Sequence, residues 1–254
     1  MPRDVTLQGE VRGLLNVHPV ESVREFGVDA FVTDRFNGVS VGAYDALNLG
    51  DHVGDNDGAV EENRRRVAEA IGVPRARLVT VRQVHGTTVR EARDVGTATD
   101  ADAIVSDEED LALAILVADC LPVLLVDESS SRFAVVHAGW RGLAAGTIAR
   151  SLEHFADARR VHAFVGPSIS LEGYQVGPEV ATHFTDVPHA VLADGGDRSR
   201  LDLRQVATTQ LVAAGVPDAQ VVRSREVTDG GEIFFSDRAQ RPCGRFALVA
   251  RRAS

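Results

Sequence analysis

Two apolar runs, LALAILVA (111–118) and LPVLLVD (121–127), are separated only by Asp119 and Cys120. Continuous apolarity over such short stretches predicts strands covered on both faces. FVTDRF (31–36), RLVTVRQV (77–84), DADAIVSD (100–107), RFAVVHAGWRG (132–142) and VHAFVGPSIS (161–170) also have strand character, most of them leaving through a polar or glycine-rich exit. IFFSDR and GRFALVA form a predicted closing strand pair. Helical spacing appears in three places. In 59–72, Val60, Val67 and Ile71 share a face, and Gly72 and Pro74 mark the stop. In 143–155, Leu143, Ile148, Leu152 and Phe155 form a stripe that Gly146 weakens. The third helix, 201–216, ends at Gly215 and Pro217. Residues 37–58 are rich in Gly, Asn and Asp and are expected to form a long ordered loop. Strands and helices are interspersed without a regular βαβ alternation, so a mixed sheet in one α+β domain spanning 1–254 is expected. Strands within 1–30 are the least well defined.

Composition narrows the functions available. A chain of 254 residues with 44% hydrophobic content buries a core without disulfides or a structural metal. A bound metal would therefore serve chemistry. The net charge of −10 opposes phosphate-backbone binding, and 5% aromatic residues argue against a base-stacking platform. Nucleic acid is not an expected partner. All 27 basic residues are arginine. Without lysine there is neither Schiff-base chemistry nor a P-loop. The polar start, MPRDVTLQGEV, has no signal-peptide core, and no apolar run is long enough to span a bilayer. With two cysteines and no framework spacing, a reduced cytoplasmic protein is expected.

Three metal-ligand types end predicted strands: His85, Cys120 and His137, separated by 35 and 17 residues. A structural zinc site usually draws on tight local pairs. Three dispersed ligands would leave one tetrahedral position open, as in a catalytic zinc. Asp119 is placed to orient one histidine. The alternative is plain: a cysteine in an apolar run is most often a small buried hydrophobe, and strand-end histidines are common. In HAGWRGLAAG (137–146) a glycine-rich turn before a helix suits an anion, with Arg141 adding a bidentate charge. A packing turn with Trp140 in the core fits the same residues. Arg35, Asn48, Asp51 and Asp55 have the character of solvated turn residues on the 37–58 loop. The other histidines, at 18, 52, 154, 162, 183 and 189, carry no signal. Cys243 is expected in a turn or in packing.

RQVHG, ADCLPVLL, HAGWRG, GPSI and FNGVSVGAYDALNLGDHVGDN together resemble the bacterial YfiH family, relatives of the human laccase-domain protein FAMIN. The resemblance runs from about residue 31 to 249. It implies a four-layer α/β/β/α sandwich with mixed sheets and a zinc site on His85, Cys120 and His137. It implies purine nucleoside phosphorolysis of adenosine, inosine, guanosine and S-methyl-5′-thioadenosine, with adenosine deamination. Phosphate would fall to Arg141 and Arg35, with Asn48 nearby. The family also carries the labels multicopper polyphenol oxidase and peptidoglycan editing factor. A Cys/His site accepts Cu2+ readily, but several coppers require more histidine ligands than this pattern aligns. Two other readings use the same residues: an amide hydrolase with Cys120 as nucleophile and His137 as base, and a non-enzymatic binding protein with structural zinc. The chain departs from the family at Glu226-Val227, where Cys-Thr is usual, and at Asp237 to Gln240. Those positions are expected to shape the pocket and the choice of nucleoside.

Overall fold

Two mixed sheets stack face to face in the computed structural model, which describes residues 1–96 and 99–253. One has seven strands in the spatial order Arg3–Val5, Val221–Ser224, Val161–Val165, Leu121–Asp127, Phe133–Ala138, Ala103–Ser106 and Val89–Glu91. The other has six: Glu10–Arg12, Leu15–Pro19, Val28–Thr33, Phe246–Arg252, Ala112–Val117 and Leu78–Val79. Both contain parallel and antiparallel pairs; Val161–Val165 is parallel to Val221–Ser224 and antiparallel to Leu121–Asp127. A three-stranded sheet is built from Gln175–Val176, Ser199–Leu201 and Val191–Ala193.

The period of two explains why the central runs are apolar throughout. Leu113, Ile115 and Val117 point into the core between the sheets, against Leu124 and Val126 of the facing sheet. Ala112, Ala114 and Leu116 point the other way, onto Val67, Ala68 and Ile71 of the helix Asp57–Ile71. Leu121, Val123 and Leu125 meet Leu143, Ile148, Val206 and Leu211 on the far side of the seven-stranded sheet. The layers therefore run helix, sheet, sheet, helix, in agreement with the four-layer expectation.

The helix Asp57–Ile71 starts where Asn56 Oδ1 accepts the Ala59 N–H at 3.0 Å, and ends at Gly72 with φ of 80°. Its start lies two residues ahead of the expected one because the cap, not the apolar stripe, sets it. The expected helix 143–155 is instead two short ones, Trp140–Ala144 and Thr147–Leu152, broken at Gly146 with φ of 87°. RLVTVRQV pairs as strand only at Leu78–Val79. Beyond that it departs toward the other sheet, with an isolated bridge from Arg82 to Asp100. IFFSDR makes no ladder; Phe234 and Phe235 are buried as core residues from a loop. The N-terminal strands serve both sheets, and Glu226 Oε1 accepts the Leu7 N–H at 2.8 Å, which ties this segment to the strand Val221–Ser224. Glu226, expected to shape the pocket, therefore serves packing and does not line the cavity described below.

Phe246 is fully buried between the sheets, its ring 5.0 Å from that of Phe234. Phe246→Ala is expected to lower the unfolding free energy by about 3–5 kcal/mol. Urea denaturation will read this as a lower midpoint at unchanged slope.

Candidate functional site

The run that carries Cys120 is not one interrupted strand. Ala112–Val117 belongs to the six-stranded sheet and Leu121–Asp127 to the seven-stranded one. Residues 118–120 are the crossing between them. Asp119 turns the chain with φ of 78°, in the left-handed region that Asp tolerates better than most residues. Pro122 stands at the entrance of the second strand, opposite His137 in the antiparallel register.

The crossing delivers Cys120 to the two histidines. Its Sγ lies 3.9 Å from His85 Nε2. The ligand atoms of His85, Cys120 and His137 all lie within 4.8 Å of one another. The two imidazoles meet nearly edge to face, with centroids 4.7 Å apart. Among the described residues, these three form the one cluster of His, Cys, Asp or Glu able to share an ion. A Cβ on Gly139 would sit 3.0 Å from the sulfur and 3.1 Å from His85 Cδ2. Glycine is required there because the donors occupy the space a side chain would take. A thiolate with two imidazoles suits zinc or copper, so the residues fit a metal of that class.

One carboxylate orients both histidines, and it is not Asp119. Asp102 is fully buried. Its Oδ1 lies 2.8 Å from His137 Nδ1, which leaves Nε2 of that ring as the nitrogen available to an ion. It also accepts the backbone N–H groups of His85 at 2.9 Å and Gly86 at 2.6 Å. His85 is thereby held at φ of 59°, a conformation costing on the order of 1 kcal/mol for such a residue. Burial alone would raise the Asp102 pKa. The His137 hydrogen bond and the Gly86 and His85 N–H groups outweigh it and hold the carboxyl below its ordinary range. The Asp119 carboxylate instead accepts from Thr228, Ser236 and the Arg238 N–H, so the histidine-orienting role expected of it is corrected.

The side chains also tune one another. Burial pushes the Cys120 thiol up, but His137 and His85 outweigh it and bring it down to about 6. Burial pushes His137 down; the Cys120 thiolate and Asp102 reverse this and raise it to about 9. The thiol is thus ready to bind as thiolate at neutral pH.

The cluster forms one end of a cavity of about 690 Å³. Trp140 and Tyr174 line it, as do Arg141, Arg238, Arg241 and Arg245. Against these four arginines stand two aspartates, Asp119 and Asp237, in a chain of net charge −10. The Arg141 guanidinium lies over the Trp140 ring, 4.5 Å from its centroid, and makes no hydrogen bond or ion pair among the described residues. The expected anion turn at its base is different in detail: the helix there is only five residues long. Its glycines serve close packing, since a Cβ on Gly142 would stand 3.1 Å from the Gly86 carbonyl oxygen.

Arg35 and Asn48 do not line the cavity. Arg35 donates to the Asp45 and Gly231 carbonyls and covers Phe235. Asn48 is buried, bonded to Gly50, Asp55 and the Arg245 N–H. Both are scaffolding for the long loop, which corrects their expected substrate contacts. His52, passed over in the sequence, lies in the cavity wall, as does Arg238 of the atypical C-terminal segment. Asp102 was also missed; its only trace is an acid in the apolar stretch ADAIV.

A cavity on a four-layer sandwich with a dispersed His, Cys, His cluster defines a laccase-domain protein. The chain matches the model of the family described as multi-copper polyphenol oxidoreductase laccase over residues 29–253, and it belongs to this family, which includes the YfiH proteins. It is 38% identical over 227 residues to the protein named purine nucleoside phosphorylase YfiH of Escherichia coli K12, covering 87% of this chain and 92% of that one. It is 40% identical over 228 residues to a Streptomyces coelicolor protein also named a purine nucleoside phosphorylase, with 85% and 91% coverage. Of solved structures, YlmD from Geobacillus stearothermophilus is similar with a TM-score of 0.89, 31% identity, and coverage of 98% and 99%. No helix among the described residues is long and apolar enough to cross a membrane.

Two outcomes are expected. Asp102→Asn is expected to weaken the affinity of the cluster for an added divalent metal by about 10- to 100-fold, measured by competition with a chromophoric chelator, because the carboxylate that orients the His137 ring is lost. In protein stripped of metal, alkylation of Cys120 accelerates as pH rises through about 6. In His137→Ala that midpoint moves up toward the ordinary thiol value of about 8.5.

Proposed function

We propose that this chain is a zinc-dependent purine nucleoside phosphorylase, acting on adenosine, inosine, guanosine and S-methyl-5′-thioadenosine, and that it also deaminates adenosine. The observation that carries the reading is the meeting of the His85, Cys120, His137 cluster with an arginine-rich, aromatic-walled cavity. The names of the relatives agree with it. His85, Cys120 and His137 hold the metal. Zinc in such a site supplies Lewis acidity without changing redox state. Arg141, unpaired, binds phosphate, and Arg238 adds a second guanidinium. Trp140 and Tyr174 offer faces for the purine.

In phosphorolysis a phosphate oxygen bonds to C1′ of the ribose while the C1′–N9 bond breaks, its electrons leaving on the purine. The arginines bring the dianion to the sugar and reduce its repulsion of other anionic groups. Burial, followed by the charge at Cys120, pushes the Tyr174 hydroxyl up to about 12. Tyr174 therefore stays protonated and donates a hydrogen bond to the departing base. The Tyr174 hydroxyl lines the cavity and makes no hydrogen bond among the described residues, whereas its backbone carbonyl accepts the Leu201 N–H.

The polyphenol oxidase label fits less well. Several coppers require several ligand sets, and the described residues contain one three-donor cluster. A thiolate–imidazolium pair on Cys120 and His137 favours a second reading, amide hydrolysis through a Cys120 acyl intermediate. Chromatography of adenosine incubated with the protein separates these. Adenine appearing only with phosphate reports phosphorolysis, and inosine reports deamination. Both are expected to vanish in Cys120→Ala and after chelator dialysis, and to return with zinc. Adenosine left intact by zinc-loaded protein in phosphate would refute the proposal; chelator-insensitive amide cleavage would establish the second reading.

A further inference from the structure

Asp119 bonds to neither histidine, yet its carboxylate at the cavity rim accepts three hydrogen bonds. Oδ1 accepts the Thr228 hydroxyl at 2.6 Å and the Ser236 hydroxyl at 2.7 Å. Oδ2 accepts the Arg238 N–H at 2.7 Å. Both hydroxyl residues are buried. The Asp119 carbonyl oxygen accepts the Ile169 N–H at 3.1 Å. With three donors committed to it, this carboxylate has no role as an acceptor for substrate or as a base. Its position gives it another.

We propose that Asp119 is a positioning residue that clamps the segment from Thr228 to Arg238, so that the crossing which places the Cys120 sulfur also sets the arginine wall that binds phosphate. The inference rests on the phosphorylase reading above. The segment has no strand ladder of its own. Arg35 holds its middle through the Gly231 and Ile233 carbonyls, and Asp229 is tied to Ser170. Asp119 bonds to both of its ends. Arg238 projects from the clamped end, its guanidinium 5.2 Å from the Tyr174 ring centroid and donating to the Gln175 carbonyl at 3.1 Å. One residue earlier, Asp237 holds Arg241 and Arg245. A shift of the Arg238 backbone therefore moves the cation and its neighbours together. Hydrogen bonds to an ionised acceptor are about twice as strong as neutral ones, so the clamp is stiff.

Asp119→Asn isolates the effect. Asparagine also tolerates the left-handed backbone at this position. Its oxygen still serves the two hydroxyls, but its amide faces the Arg238 N–H. Inorganic phosphate is titrated into zinc-loaded protein and followed by the emission of Trp140, the chain's one tryptophan, which lies under Arg141. The expected result is about tenfold weaker phosphate binding and a matching rise in KM for phosphate. The KM for inosine and the zinc content should be unchanged. Equal phosphate affinity in the two proteins overturns the inference alone, as does loss of zinc in parallel with phosphate, which marks a merely structural role. No phosphate binding by the wild type overturns the phosphorylase reading, and the inference with it. Should Asp119→Asn fail to fold, Ser236→Ala loosens the same carboxylate while keeping its charge. It must weaken phosphate in the same direction, and an unchanged affinity there overturns the inference.

Discussion

The passage of the chain from one sheet to the other at residues 118–120 is the constraint on which the rest depends. Each sheet must bury both faces, one against its partner sheet and one against helices. The strands on either side of the crossing are therefore apolar without alternation. Between these two strands, polar side chains stand where the chain has left one sheet and not yet joined the other. Cys120 and Asp119 occupy that gap. The sulfur turns toward His85 and His137, and the carboxylate toward the loop that carries Arg238. A single turn thus supplies one member of the candidate metal cluster on one side and an anchor for the cationic wall on the other.

Two acids next to the cavity are held by hydrogen bonds rather than by ion pairs with arginine. Asp102 and Asp119 are both surrounded by donors, and neither bonds to a guanidinium. The arginines are therefore left free, or paired only with Asp237, to give the cavity a sign opposite to that of the whole chain. A buried carboxylate without such donors would cost several kcal/mol and would take up a proton instead. Desolvation and hydrogen bonding act against each other at Cys120 and His137 too, and there the mutual attraction of thiolate and imidazolium prevails.

The family motifs made the three metal-ligand types legible, and the ordered loop at 37–58 was expected from its Gly, Asn and Asp content. Roles for Arg35 and Asn48 were misplaced for a physical reason. Polar residues in a long loop serve equally well to satisfy the loop's own backbone, and no linear pattern separates the two uses. Here Asn48 accepts the N–H of Gly50, 2 residues on, and that of Arg245, 197 residues away. Asp102 was missed for the converse reason. An acid inside an apolar stretch resembles a strand boundary until a histidine 35 residues away closes on it.

Local rules were enough to place the body of the helix Asp57–Ile71, the apolar strands on either side of Cys120 and the α+β class. Capping, period and apolar run length act over a few residues and are written in consecutive positions. Which sheet each strand joined was not determined in that way. Nor was the break at Gly146, nor the choice of Asp102 over Asp119 as partner to the histidines. Those outcomes depend on which backbone N–H groups and side chains meet after the sheets have stacked, a distance in space that spacing along the chain does not encode.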